Sequence, residues 1–265
     1  MDRSNTGEAK VSDKGAFDLS FGLGGKTAVV TGGASGIGAA IASTFVAKGA
    51  RVGIVDVNSE GAMKMAEALG PACAAFACNV SAQQSVTACV DEVISRFGRV
   101  DVLVNNAGVV MLGSAEELGV EAWEATMSVN LLGTFLMSQA VGRHMLEAGK
   151  GKIINIASQA ASVALRGHAA YCASKAGVLG LTRVLAYEWA GRGVNVNAIS
   201  PTVVMTDLGR KAWEGPRGEE MKALIPTGRF AEPEEIAAAA LFLASAASDM
   251  INGADLLVDG GYTIQ

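Results

Sequence analysis

An alternation of short strand-like and helix-like stretches, beginning at Lys26, restricts the fold of this chain more than any other feature. KTAVVT (residues 26–31) is a β-branched run, GGASGIG follows it with no linker, and IGAAIASTFVAKGA continues with helical spacing. Strand, glycine turn and helix are therefore contiguous. The unit recurs: RVGIVDV reads as a second strand, Ser59–Leu69 as a helix, Ala72–Ala77 as a third strand and Ser81–Phe97 as a helix. Further on, Val100–Val104 predicts strand four, Glu121–Glu147 one long helix, Lys152–Ala157 strand five, Tyr171–Ala190 a helix and Val194–Ile199 strand six. A helix over Glu232–Ser245 and a strand over Leu256–Val258 close the pattern. Strands joined through helices pair in parallel by right-handed crossovers, so the expected fold is an α/β doubly wound sheet of about seven strands, covered by helices on both faces. Such a sheet takes its ligands beyond the carboxyl ends of its strands.

At 265 residues and 50% hydrophobic content the chain suits one large domain. That domain is expected over residues 25–265. Residues 1–24 are polar with no period and read as an N-terminal extension, mobile or draped on the surface. A net charge of −5 offers no basic footprint for phosphate backbones, which sets nucleic acid aside. Cys73, Cys78, Cys89 and Cys172 lack metal-ligand spacing and read as free thiols of a reducing compartment, with no metal site expected. No stretch reaches the roughly 18 apolar residues of a membrane span, and the N-terminus has no apolar core like that of a signal peptide. A cytoplasmic protein is expected.

The first glycine turn lies where a parallel sheet binds ligands. Gly32, Gly36 and Gly38 let the backbone approach a pyrophosphate, and the helix that follows presents free N–H groups and a positive dipole. Glycines between a strand and a helix also serve as a plain turn. Asp56 tips the balance, because it ends the second strand 18 residues after Gly38, near the spacing of a carboxylate that holds adenosine ribose hydroxyls. A carboxylate there repels a 2′-phosphate, and neither Gly33 nor Val57 supplies a compensating charge. NAD is the expected cofactor.

A second constellation sits at the end of strand five. Tyr171 and Lys175, four apart on a helix, share one face. An ammonium beside a phenol favours the phenolate and lowers its pKa from about 10, which would suit Tyr171 to proton transfer. Ser158, 13 residues earlier at the end of KIINIAS, is placed to hydrogen-bond an alcohol or carbonyl oxygen facing that phenol. The plainer reading is a core aromatic and a solvated lysine.

With TGGASGIG (31–38), NNAG (105–108), Asn130 in SVNLLGTF, Ser158, Tyr171 with Lys175, Pro201 with Thr206, and VDGGY (258–262) in order, the chain resembles the short-chain dehydrogenase/reductase family from about Gly24 onward. The resemblance implies a single-domain Rossmann-type fold. It makes Tyr171 the general acid/base, has Ser158 polarise the substrate oxygen, and has Lys175 lower the tyrosine pKa while holding the nicotinamide ribose. Asn130 would anchor a water in a proton relay from Lys175. Gly32, Ser35, Gly36, Ile37, Gly38, Asp56, Asn79, Val80, Asn106 and Thr206 would contact the dinucleotide, together with Tyr171 and Lys175. Two departures stand out: Asn79-Val80 where many relatives have Asp-Val, and Pro201-Thr202 where many have Pro-Gly. Family members usually form tetramers, so a homotetramer is expected.

Substrate choice is expected from residues 202–230, TVVMTDLGRKAWEGPRGEEMKALIPTGRF, an excursion long enough to form a lid. Met205, Trp213, Met221 and Leu224 either wall a pocket or seat that lid on the body. Gln159, His168 and Trp213 join Ser158 as candidate substrate contacts. SQ, HxxYCASK, PTVVMT and the tryptophan seven residues on resemble xylulose reductases and sugar-alcohol dehydrogenases, which implies a small polyol or its ketose as substrate. A 3-oxoacyl or other carbonyl reductase is the alternative enzyme reading. A dinucleotide-sensing module without catalysis, or a structural subunit, are readings of another class.

Overall fold

The computed structural model of the protein describes residues 19–264. Most of the expected extension, residues 1–18, lies outside the described residues. Seven parallel strands form one sheet: β1 (Thr27–Thr31), β2 (Arg51–Asp56), β3 (Cys73–Ala77), β4 (Val102–Asn105), β5 (Gly151–Ile156), β6 (Val194–Pro201) and β7 (Asp255–Val258). Their order across the sheet is β3-β2-β1-β4-β5-β6-β7. The chain therefore reverses its winding between β1 and β4, and a cleft opens at their carboxyl ends.

The helices are α1 (Gly36–Ala47), α2 (Ser59–Leu69), α3 (Gln83–Phe97), α4 (Val120–Met127), α5 (Gly133–Ala148), α6 (Ala169–Trp189), α7 (Asp207–Ala212), α8 (Pro216–Ala223) and α9 (Pro233–Ala244). One face of the sheet packs on α1 and α9 through Ile41, Phe45, Ile236 and Ala240, the other on α3, α5 and α6 through Val86, Val90, Met137, Val141 and Leu185. Both faces are covered, which is why the strands read as continuous apolar runs with no alternation.

The long helix region expected over Glu121–Glu147 is helical throughout, with a five-residue π turn, Ser128–Leu132, set between α4 and α5. Two expectations are corrected. Strand four starts at Val102 and not Val100, since Asp101 turns its carboxylate to the Thr27 N–H (2.8 Å) and the Arg99 guanidinium (2.6 and 2.9 Å). The body begins before residue 25: Leu23 is wholly buried, its N–H bonds the Lys48 carbonyl (2.8 Å), and Phe21 meets Phe242 edge to face.

Candidate active site

Two adjoining cavities occupy the carboxyl edge of the sheet. One, of about 550 Å³, runs from Asp56 and Val57 past Asn79 and Val80 to Gly32, Ser35 and Ile37. The other, of about 530 Å³, is lined by Ser158, Tyr171, Lys175, Pro201, Thr202 and Val204, together with Val109, Val110 and Met111. Ile37, Asn106, Gly108, Val109 and Thr206 line both, so the two form one groove across the switch point.

The glycine turn is shaped by necessity. Gly32 has φ +61°, and a Cβ there would meet the Asn106 Nδ2 at 2.9 Å; a Cβ on Gly38 would collide with the Gly32 carbonyl. Asn106 holds the turn in place by donating both amide hydrogens, to the carbonyls of Thr31 (3.0 Å) and Gly32 (3.1 Å). Those hydrogens are committed to the scaffold. The N-terminus of α1 opens on the groove beside Ser35. Asp56 is fixed by two backbone donors, Ala34 N–H (3.1 Å) and Asn58 N–H (2.9 Å), and is the one charged residue on its half of the groove among the described residues. Thr206 caps α7 by accepting from the Gly209 N–H (3.1 Å), and its Cγ2 stands close above Gly36. A turn that tolerates only glycine, a helix N-terminus and a fixed carboxylate fit a dinucleotide laid along the groove.

The Tyr171 half is held by burial around Lys175. Lys175, 5% exposed, donates from Nζ to the Ile156 carbonyl (2.7 Å), and its ammonium lies 5.6 Å from the centre of the Tyr171 ring. Removal from water pushes its pKa down to about 8. The Tyr171 phenol shifts upward: burial raises it more than its hydrogen bond with Ser158 lowers it, and Lys175 does not offset the difference. The expected acidification of Tyr171 by Lys175 is thus not delivered by the side chains alone, because the ammonium is itself desolvated. Ser158 accepts the Ala160 N–H (3.2 Å), which holds its hydroxyl at the cavity wall.

Asn130 does not line the groove. It lies in the π turn and clasps the Val109 backbone in both directions, Oδ1 accepting from Val109 N–H (2.8 Å) and Nδ2 donating to Val109 O (2.9 Å) and to Ser174 Oγ (3.1 Å). It thereby fixes the wall that faces Tyr171.

Three candidate substrate contacts are not brought to the cavity wall. Gln159 follows Ser158 into a 3-10 turn and is buried, with Oε1 lacking a partner. His168 donates from Nδ1 to Arg166 O (2.8 Å) and packs edge-on to the Tyr171 ring (6.1 Å between centroids). Trp213 lies against Phe230 (5.8 Å) beneath Arg217, and Met205, Met221 and Leu224 do not line the cavity either, so these residues seat α7 and α8 on the body. Sequence reasoning missed Val109, Val110 and Met111; the apolar run VVML directly after NNAG was the available signal.

Comparison with known proteins agrees with this geometry. The family described as "Enoyl-(Acyl carrier protein) reductase" matches residues 32–263. The chain belongs to the short-chain dehydrogenase/reductase family, whose fold and relatives make a nicotinamide dinucleotide its cofactor. It is 62% identical over 253 residues to a D-threitol dehydrogenase of Mycolicibacterium smegmatis, covering 94% of this chain and 97% of that one. Identity is 50% over 250 residues to an NAD-dependent glycerol dehydrogenase of Listeria innocua, with 94% and 98% covered. A crystal structure of a gluconate 5-dehydrogenase from Burkholderia cenocepacia, in complex with NADP and tartrate, superposes with a TM-score of 0.89 at 38% identity, covering 92% of this chain and 98% of that one. No helix among the described residues is long and apolar enough to cross a membrane.

Proposed function

We propose that the protein oxidises a small neutral polyol, a tetritol or pentitol, at one secondary alcohol to the ketose, with NAD as cofactor. The observation that carries the redox reading is the convergence of Ser158, Tyr171 and Lys175 on one cavity continuous with the glycine turn. The names of the threitol and glycerol dehydrogenases support the polyol. The charge of the cavity supports its neutrality: among the described residues Lys175 is the one charged residue lining it, and that ammonium is engaged with Ile156, which leaves no cation there for a sugar acid or a phosphate-bearing carrier. Asp56, with no basic residue among the described residues on its half of the groove, supports NAD over NADP.

Bound in its oxidised form, the dinucleotide would supply the hydride acceptor. Gly32, Gly36 and Gly38 would admit its pyrophosphate, Asp56 its adenosine ribose, and Lys175 and Thr206 its nicotinamide half. Ser158 donates a hydrogen bond to the substrate oxygen and holds it toward Tyr171. The Tyr171 oxygen, as phenolate, takes the hydroxyl proton; as phenol it returns that proton in reduction. Because burial raises the phenol, oxidation gains rate with rising pH and reduction loses it. Trp123 and Phe135 on α4 and α5, and Tyr187 on α6, are exposed aromatics that support the expected homotetramer, a state light scattering would measure.

A spectrophotometric screen of C4 to C6 polyols and ketoses with NAD(H) and NADP(H) tests the function. Turnover confined to fatty acyl, steroid or aromatic alcohols would refute the substrate, and equal catalytic efficiency with NADP would refute the cofactor.

A further inference from the structure

The mechanism leaves one pair of nucleophilic side chains unused. Cys78 follows directly on β3 and lines the Asp56 half of the groove together with Val57 and Asn79. Cys89 faces it from α3, one helical turn beyond Ser85, so one face of that helix presents both residues to Cys78. The Cys78 sulfur receives the Ser85 hydroxyl at 3.8 Å and a hydrogen bond from the Cys89 thiol. Ser85 in turn accepts the Asn79 N–H at 3.0 Å. The Cys78 N–H donates to the carbonyl of Asp56 at 2.9 Å.

Most buried cysteines are inert small hydrophobes. Here the two thiols differ in a way that makes one of them reactive. Two donors aimed at Cys78 favour its thiolate and bring it to about 7, whereas Cys89, which gives the hydrogen bond and sits inside an apolar cluster, is pushed upward. Cys73, with no such donors, is raised by burial alone. The nucleophile is thus the cysteine that borders the groove, and the resolving thiol is the one behind it.

We propose that Cys78 and Cys89 form a redox-responsive thiol pair whose oxidation to a disulfide weakens dinucleotide binding. The oxidant is a hydroperoxide that enters through the open groove. The Cys78 thiolate attacks the terminal peroxide oxygen; an S–O bond forms, the O–O bond breaks, and the departing alkoxide or hydroxide takes up a proton. The Cys89 sulfur then attacks the Cys78 sulfenic acid, an S–S bond forms, and the leaving hydroxide takes the Cys89 proton away as water. Two electrons pass from the sulfurs to the peroxide. The new bond draws the end of β3 toward α3, which displaces Asn79 and Val80 from the groove wall and pulls on the backbone bond that ties Cys78 to Asp56. A bound dinucleotide fills the approach and shields the thiolate.

The test uses the purified full-length protein treated with hydrogen peroxide, with and without saturating NADH. Thiol alkylation and peptide mass analysis locate the oxidised cysteines, and fluorescence titration gives the Kd for NADH and for NADPH. The expected result is a Cys78–Cys89 cross-link, at least a tenfold rise in Kd that dithiothreitol reverses, and cross-linking at least tenfold slower with NADH present. Cys89→Ser, with Cys89→Ala as a second variant should serine disturb the cluster, is expected to bind NADH like the parent and to show no reversible loss after peroxide. Four results would overturn the proposal: no cross-link between these two cysteines, a cross-link with Kd unchanged, no shielding by NADH, or a Cys89 variant as reversibly sensitive as the parent. The cross-link is read by mass, so it stands or falls apart from the choice of polyol or of NAD.

Discussion

The two halves of the groove are built on opposite plans. Around Asp56 the wall is backbone turns and small side chains, and the single charge is pinned by two N–H groups at the sheet edge. Around Tyr171 the lysine is buried and the phenol half-buried, and both are displaced from their ordinary protonation, phenol upward and ammonium downward. The first half offers fixed dipoles and shape; the second offers poorly solvated protons. Recognition is therefore expected to tolerate changes that chemistry does not, and substitutions on each side should separate the two.

The largest effect is expected at Tyr171. Tyr171→Phe should lose at least about a hundredfold in kcat for polyol oxidation while its Kd for NADH stays within twofold, in keeping with the usual contribution of general acid/base catalysis. Stopped-flow and fluorescence titration give the two quantities, and equal losses in both would erase the distinction between the halves.

Lys175 sharpens it through stability. The folded chain releases this proton near pH 8 and the unfolded chain near 10.5, so between those values the unfolded state binds more protons and the fold gains stability as pH rises. Below pH 8 the full burial cost stands, on the order of 3 kcal/mol. Lys175→Met should accordingly be inactive yet more stable than the parent at pH 7, with the gap in urea midpoint narrowing toward pH 10. A gap that widens with pH would reverse the assignment.

On the other side, Asp56→Ser should cut the ratio of kcat/KM for NAD over NADP at least tenfold, mainly through KM, and leave the pH profile of oxidation in place. The smallest effect belongs to Trp213. Trp213→Leu should lower the melting temperature and change kcat/KM for the preferred polyol by less than about threefold, since the indole packs on Phe230 outside the cavity wall. A switch in polyol preference in that variant would move the substrate boundary out to α7.

Much of this was legible in the chain itself. The strand runs, the glycine turn and Asp56 carry local signatures, because a buried parallel strand needs β-branched residues and a φ of +61° needs glycine. Ser158, Tyr171 and Lys175 were legible by spacing. Gln159 was misread because a 3-10 turn begins right after Ser158 and sends the neighbouring side chain into the interior. The upward shift of the Tyr171 phenol in the chain alone was not legible, because desolvation is a property of packing, which spacing does not encode. The π turn left no trace, since SVNLLGTF reads as ordinary helix and only the clasp between Asn130 and Val109 explains the extra residue.

That extra residue has a consequence for how the chain tolerates change. Deleting one position between Ser128 and Leu132 would restore regular winding, so on its own account the helix would gain. Asn130 would then lose the position from which it grips the Val109 backbone. The turn thus acts as a frame marker, where a shorter and straighter helix is the defective one.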